Sequence, residues 1–215
     1  MKDSTKKTLD VLFDRYPTLE LCRDDIFAAT ETICAAYHAG GKLLLCGNGG
    51  SAADAEHIVG ELMKGFLKKR LLPEAAREKM KTAFPQDADY LYENLQGALP
   101  AISLVNSVAL GTAFANDQAA DLVFAQQVLG LGCEGDVLLA ISTSGNSKNV
   151  LYAAETARVR GLKTIALTGR SGGKLKPLAD VTIAVPSDET YCIQEFHLPV
   201  YHALCIAAEE EFFEA

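Results

Sequence analysis

This chain predicts an α/β fold, a parallel sheet covered by helices on both faces. Three observations carry the prediction. Short apolar runs of strand length alternate with longer stretches of helical period. The runs are continuously apolar, as strands buried on both faces are. Two of them lead into loops of glycine, serine and threonine, at the strand ends where such folds bind ligands.

The elements follow in order. Residues 4–38 read as N-terminal helices, with Ile26, Ala29, Ile33 and Ala36 at helical spacing. Ala39-Gly40-Gly41 ends the last of these with glycines suited to a left-handed cap. Residues 42–46 form a buried strand, and Gly47-Asn48-Gly49-Gly50-Ser51 a loop. A helix then runs from about Ser51 to Phe66. Residues 68–97, punctuated by Pro73 and Pro85, read as a helical insertion on one edge, with helical patterns over 74–83 and 88–95. Residues 100–104 are a second strand, and 121–131 a helix. Strand over 136–141, helix over 147–160, strands over 163–167 and 181–185 and a last helix over 190–213 complete the alternation. There is no internal repeat or linker, so residues 1–215 are expected to form one domain.

Composition excludes several classes. The 215 residues carry a net charge of −8 and no basic stripe, which argues against nucleic acid and against an anionic membrane surface. The cationic run Lys68-Lys69-Arg70 is expected to be a solvated helix end. Six cysteines without a CxxC pair, mostly in apolar runs, do not make a secreted disulfide framework. No apolar stretch spans a bilayer, so the expected location is the cytoplasm.

The chemistry lies in the loops and in two helices. Glycines in the first loop let the backbone approach a ligand closely. The second loop, Ser142-Thr143-Ser144-Gly145-Asn146-Ser147, combines four hydroxyls, an amide and a glycine and opens a helix. Helix N–H groups plus hydroxyls suit a phosphate monoester. Simple capping by Asn146 or Ser147 is the alternative, though a cap needs one such residue. The loop matches neither the P-loop nor a dinucleotide fingerprint, so no nucleotide cofactor is expected.

His57 and Glu61 lie one turn apart on the helix after the first loop, with Ser51 and Asp54 on roughly the same side. The last helix carries Gln194, His197 and His202. Gln194 and His202 are about 80° apart around the helix but roughly 12 Å apart along it. Aldose–ketose isomerisation needs a base for the proton beside the carbonyl and a second group that moves protons between the oxygens. Glu61 suits the first role and His202 the second. His57, Glu61, Gln194 and His202 also supply nitrogen and oxygen donors for a divalent metal. His38 and His197 read as structural.

Taken in order, Cys46-Gly47-Asn48-Gly49-Gly50-Ser51, His57-x-x-x-Glu61, Asn116-Asp117, residues 141–147, Leu167-Thr168-Gly169 and Ile193-Gln194-Glu195 resemble the sugar isomerase (SIS) domain, and within it the phosphoheptose isomerases. The resemblance implies a three-layer αβα sandwich with a five-stranded parallel sheet, flavodoxin-like, assembled as a homotetramer. It implies conversion of sedoheptulose 7-phosphate to D-glycero-D-manno-heptose 7-phosphate through an enediol. It implies substrate contacts from Asn48, Gly49, Gly50, Ser51, Glu61, Asn116, Asp117, Ser142, Thr143, Ser144, Ser147 and Gln194. It implies Glu61 as base with His202 as partner, and zinc on His57, Glu61, Gln194 and His202. Two features depart from that pattern: the length of the insertion, and Tyr191-Cys192 before Gln194. Both bear on which sugar is taken. A non-catalytic relative that binds a replication initiator keeps the fold but lacks the acid and the last histidine. Both are present here, as Glu61 and His202.

Overall fold

A computed structural model describes residues 1–214. Five strands form one parallel sheet: β1 (Leu43–Cys46), β2 (Ala101–Ser103), β3 (Val137–Ser142), β4 (Lys163–Gly169) and β5 (Val181–Val185). Their order is β2-β1-β3-β4-β5, with Leu45 opposite Ser103 on one side and Leu139 on the other. All residues of β1 and β3 are buried, as strands covered on both faces must be.

Successive residues of each strand feed opposite cores. Leu43, Leu45, Leu139, Ile141, Ile165 and Leu167 pack with helices on one face. Those helices are α1 (Asp3–Arg15), α2 (Arg23–His38), α3 (Gly50–Met63) and α9 (Thr190–Phe212). Leu44, Cys46, Leu138, Ala140 and Ala166 pack on the other face against α7 (Val123–Leu131) and α8 (Lys148–Val159). The result is the three-layer sandwich that the alternation predicts.

The strands and most helices fall within a few residues of their expected bounds. The N-terminal helices are two, α1 and α2, divided because Pro17 opens a 3₁₀ turn over Pro17–Cys22 and its ring disfavours helical backbone at Tyr16. One helix was not anticipated, α6 (Val108–Phe114), which leads into a π turn over Ala115–Ala119. The edge segment holds α4 (Glu74–Ala83) and α5 (Ala88–Asn94), which pack on each other.

The run Lys68-Lys69-Arg70 is not a solvated helix end. α3 stops at Met63, and Arg70 is 2 % exposed. Its guanidinium turns inward because buried carboxylate and carbonyl groups await it there. No helix among the described residues is long and apolar enough to cross a membrane. Four cysteines (Cys22, Cys34, Cys46 and Cys205) are buried and all six are free thiols.

Candidate active site

The strand order reverses between β1 and β3. Neighbouring loops there splay apart, and a crevice opens beyond the carboxyl ends of the strands. The loop after β1 is Gly47-Asn48-Gly49-Gly50-Ser51, and the loop after β3 is the hydroxyl-rich one. Two polar loops far apart in sequence therefore meet. Asn48 and Asn149, in the first turn of α8, exchange side-chain amide hydrogen bonds of 2.9 Å and tie the loops together.

The second loop is built around Gly145. Its φ is +63°, and a Cβ would run into the carbonyl of Gly172. Ser147 stands at the N-cap position of α8 but makes no side-chain cap bond. Its hydroxyl lies 3.2 Å from that of Ser142 instead. The first N–H groups of α8 therefore stay available to a ligand, together with the hydroxyls around them. A polar cleft of about 210 Å³ opens beside Thr143, Ser144, Asn146 and Arg170. Arg170 at its rim is paired with Asp188 at 3.0 Å.

The acid and the histidines gather where α3 meets α9. Glu61 Oε1 lies 3.2 Å from His57 Nε2, and Glu61 Oε2 lies 3.2 Å from Lys64 Nζ. The Glu61 side chain is 12 % exposed, so it is shielded yet reachable. His57 and His202 meet edge to face with ring centres 5.1 Å apart. The other His57 nitrogen, Nδ1, is 2.9 Å from the Tyr201 hydroxyl, which orients the ring. Burial, and next the neighbouring His57, hold the His202 pKa below the ordinary imidazole value. His202 Nε2 is buried without a hydrogen-bond partner. A second cleft, of about 300 Å³ between α1 and α9, also reaches His202 and is edged by Arg15 and Tyr16.

Gln194 stands apart from this cluster. Its amide lies against Gly50 at the start of α3, so close that a Cβ on Gly50 would come within 2.5 Å of Nε2. His57 meets Tyr201 seven residues further along both helices, about 10 Å along the axes. Gln194 is thus with the loops, while His57, Glu61 and His202 are together. Among the described residues no three His, Cys, Asp or Glu side chains converge closely enough to hold a metal ion. As donors, the carboxylate and the two imidazoles, one of them with the orphaned His202 Nε2, are nonetheless of the kind zinc takes.

Asn116 and Asp117 sit in the exposed π turn after α6, where Asn116 donates to Asp117 Oδ1 at 2.8 Å. Neither is hydrogen-bonded to another of the expected site residues. Ser51, in the first turn of α3, is 3 % exposed. His38 bonds Glu211 Oε1 at 3.2 Å, and His197 is fully buried with burial pushing its pKa down to about 4. Both are structural, as the sequence suggests. Three contributors escape sequence reasoning: Tyr201, Asn149 and Arg70. Tyr201 adjoins His202 in sequence, a signal that was available.

Known proteins resemble this chain in sequence and in fold. The SIS domain family matches residues 17–97 and 92–169. A phosphoheptose isomerase of Helicobacter pylori is 41 % identical over 211 residues, covering 98 % of this chain and 91 % of that one. The phosphoheptose isomerase of a Nitratiruptor species is 46 % identical over 171 residues, covering 80 % and 78 %. The solved phosphoheptose isomerase of Neisseria gonorrhoeae superposes with a TM-score of 0.73 at 33 % identity, covering 96 % of this chain and 94 % of that one. A relative of 41 % identity along almost the whole chain, together with the SIS domain match, settles the lineage: the chain belongs to the phosphoheptose isomerase family of SIS-domain proteins.

Proposed function

We propose that the chain is an aldose–ketose isomerase that converts sedoheptulose 7-phosphate to D-glycero-D-manno-heptose 7-phosphate. The observation that carries the reading is the cluster of Glu61, His57 and His202 along the α3/α9 seam. It lies on the helix that leaves the first of the two joined loops.

The residues divide the work. Ser142, Thr143, Ser144 and Ser147, with the N-terminal N–H groups of α8, hold the phosphate. Asn48, Gly49, Gly50, Ser51 and Gln194 belong to the sugar-binding side, as do Asn116 and Asp117. Glu61 removes the proton from the carbon beside the carbonyl. The C–H electron pair becomes the carbon–carbon double bond and the carbonyl π pair moves onto its oxygen, giving an enediolate. His202 carries a proton from one enediol oxygen to the other. Glu61 then returns its proton to the neighbouring carbon, so the sum is an isomerisation with no atom gained or lost. Lys64 and His57 each lie 3.2 Å from a Glu61 carboxylate oxygen and hold the side chain in place. A depressed His202 pKa leaves a neutral imidazole, which can both give and accept a proton.

Zinc belongs to the same reading: His57, Glu61 and His202 would hold it, with Gln194 about two helical turns away beside Gly50, and it would polarise the carbonyl and stabilise the enediolate. So does a homotetramer, for which Val108, Leu110, Leu129 and Leu131 offer exposed apolar surface. Six free thiols suit a cytoplasmic location.

The test incubates purified protein with a panel of ketose phosphates, with and without zinc, and looks for aldose product. Glu61→Gln is expected to abolish turnover while phosphate affinity and oligomeric state stay as in the wild type. Undiminished isomerisation by Glu61→Gln would remove the base. No turnover on any sugar by the wild type would leave a phosphosugar-binding protein.

A further inference from the structure

Arg70 is the one non-glycine residue among those described with a left-handed backbone, at φ +47°. Such a conformation costs an L side chain energy that the surroundings must repay. Here the surroundings are three hydrogen bonds. Nε donates to Glu209 Oε1 at 2.7 Å, Nη1 to the Leu62 carbonyl at 2.5 Å and Nη2 to the Glu61 carbonyl at 2.8 Å. The Phe213 ring covers the guanidinium at 4.9 Å. Both members of the Arg70–Glu209 pair are sealed from water, at 0 % and 1 % side-chain exposure. Glu209 also accepts the backbone N–H groups of Phe66, Leu67 and Lys68 at 2.8, 2.8 and 3.1 Å.

The position of these bonds matters more than their number. The last carbonyls of a helix have no partner within it. α3 has no left-handed glycine cap, since Lys64 follows it in extended backbone. Arg70 supplies the missing donors, with a positive charge where the helix dipole is negative. One of the carbonyls it holds belongs to Glu61 itself. Its other partner, Glu209, lies on α9 two turns beyond His202, on the same face. A single guanidinium therefore joins the end of the helix that carries Glu61 to the helix that carries His202.

We propose that Arg70 is a positioning residue for isomerisation, which with Glu209 fixes the last turn of α3 against α9 and so holds the Glu61 carboxylate in place relative to His202. The proposal rests on the reading of Glu61 as the base. A guanidinium is suited to the task because its planar fork meets a carboxylate and two carbonyls at once, which a lysine ammonium does not reproduce.

The test uses Arg70→Lys and Arg70→Gly. Glycine accepts the left-handed backbone, so the second variant removes the side chain without adding strain there. Turnover of sedoheptulose 7-phosphate, calorimetric affinity for inorganic phosphate and thermal unfolding are measured on each, with Glu61→Gln as control. In folded Arg70→Lys, kcat should fall about ten- to a hundredfold while KM and phosphate affinity stay within about threefold of wild type. In Arg70→Gly, millimolar guanidinium should restore kcat several-fold and methylammonium should not. Wild-type kcat in folded Arg70→Lys overturns the proposal, as does a loss that follows only the unfolded fraction and is not rescued. Loss of turnover in Glu61→Gln with wild-type kcat in Arg70→Lys overturns the proposal alone. Retained turnover in Glu61→Gln overturns the base assignment and the proposal with it.

Discussion

Ser147→Ala separates the two roles a serine at the start of α8 can have. As a cap, its hydroxyl would satisfy a helix N–H, and its loss would cost about 1 kcal/mol of stability. The structure has no such bond. The helix is opened by the Ser147 carbonyl, which accepts from Val150 and Leu151 at 3.1 and 3.0 Å. The hydroxyl itself makes only the 3.2 Å contact with Ser142, whose loss is worth about 0.5 kcal/mol. The unfolding midpoint should then move by no more than roughly 2 °C. Toward a phosphate the same hydroxyl gives a hydrogen bond to a charged acceptor, worth about 1.5–3 kcal/mol. Phosphate affinity should fall roughly ten- to a hundredfold. Calorimetric titration with inorganic phosphate reads the second effect, thermal unfolding the first. Unchanged phosphate affinity with the full stability loss of a missing cap would refute the phosphate assignment of this loop.

Two further perturbations probe the frame. Gly145→Ala forces a Cβ into left-handed backbone and against the Gly172 carbonyl, so it should cost about 2 kcal/mol or more and weaken phosphate binding. A denaturation midpoint equal to wild type would show that the loop has another way to fold. Glu211 gives a pH signature. Burial alone would raise its pKa, but the Lys2 N–H, the Thr5 hydroxyl and His38 outweigh it and bring the carboxyl from 4.5 to about 2. Its stabilising effect is therefore complete above about pH 4.5 and is lost as pH falls toward 2, up to about 3 kcal/mol. Urea unfolding of wild type and Glu211→Gln should differ at pH 7 and converge near pH 2. A gap independent of pH would exclude that carboxylate as the source.

The sheet was legible because its strands are short, largely apolar runs, a pattern decided locally. The crevice was legible for the same reason: both loops announce themselves by composition, and the topology only had to make them neighbours. Where the outcome depends on distant partners the sequence is silent. Arg70 reads as one more cation in Lys68-Lys69-Arg70, because its partner Glu209 is 139 residues away. Gln194 reads as one of four donors only if two long side chains span the roughly 12 Å of helix between it and His202. The parallel run of α3 and α9 makes the axial offset decisive, and sends Gln194 to Gly50 and His202 to His57. α6 was not anticipated because a seven-residue helix with no buried residue leaves no apolar period to detect.

Residues 71–96 illustrate how a chain can add length beside an active site without disturbing it. The segment leaves after Arg70 and returns at Gly97, whose N–H donates to the Arg70 carbonyl at 2.7 Å. Two residues on, Leu99 N–H donates to the Leu62 carbonyl at 3.0 Å and delivers the chain to β2. Between those points α4 and α5 hold themselves together. Arg77 pairs with Asp89 at 2.9 Å, the Tyr92 hydroxyl donates to the Leu72 carbonyl at 3.1 Å, and only Ala88 in either helix is buried. Closing such a loop costs little more as it lengthens, provided its ends are pinned. The pins are the same backbone groups that bound Glu61: the Leu62 carbonyl accepts from both Leu99 and Arg70. The arm is thus joined to Glu61 by way of Arg70 and Leu62. A buried guanidinium with three hydrogen-bond partners stands at that junction, between the exposed arm and the turn of α3 that carries Glu61.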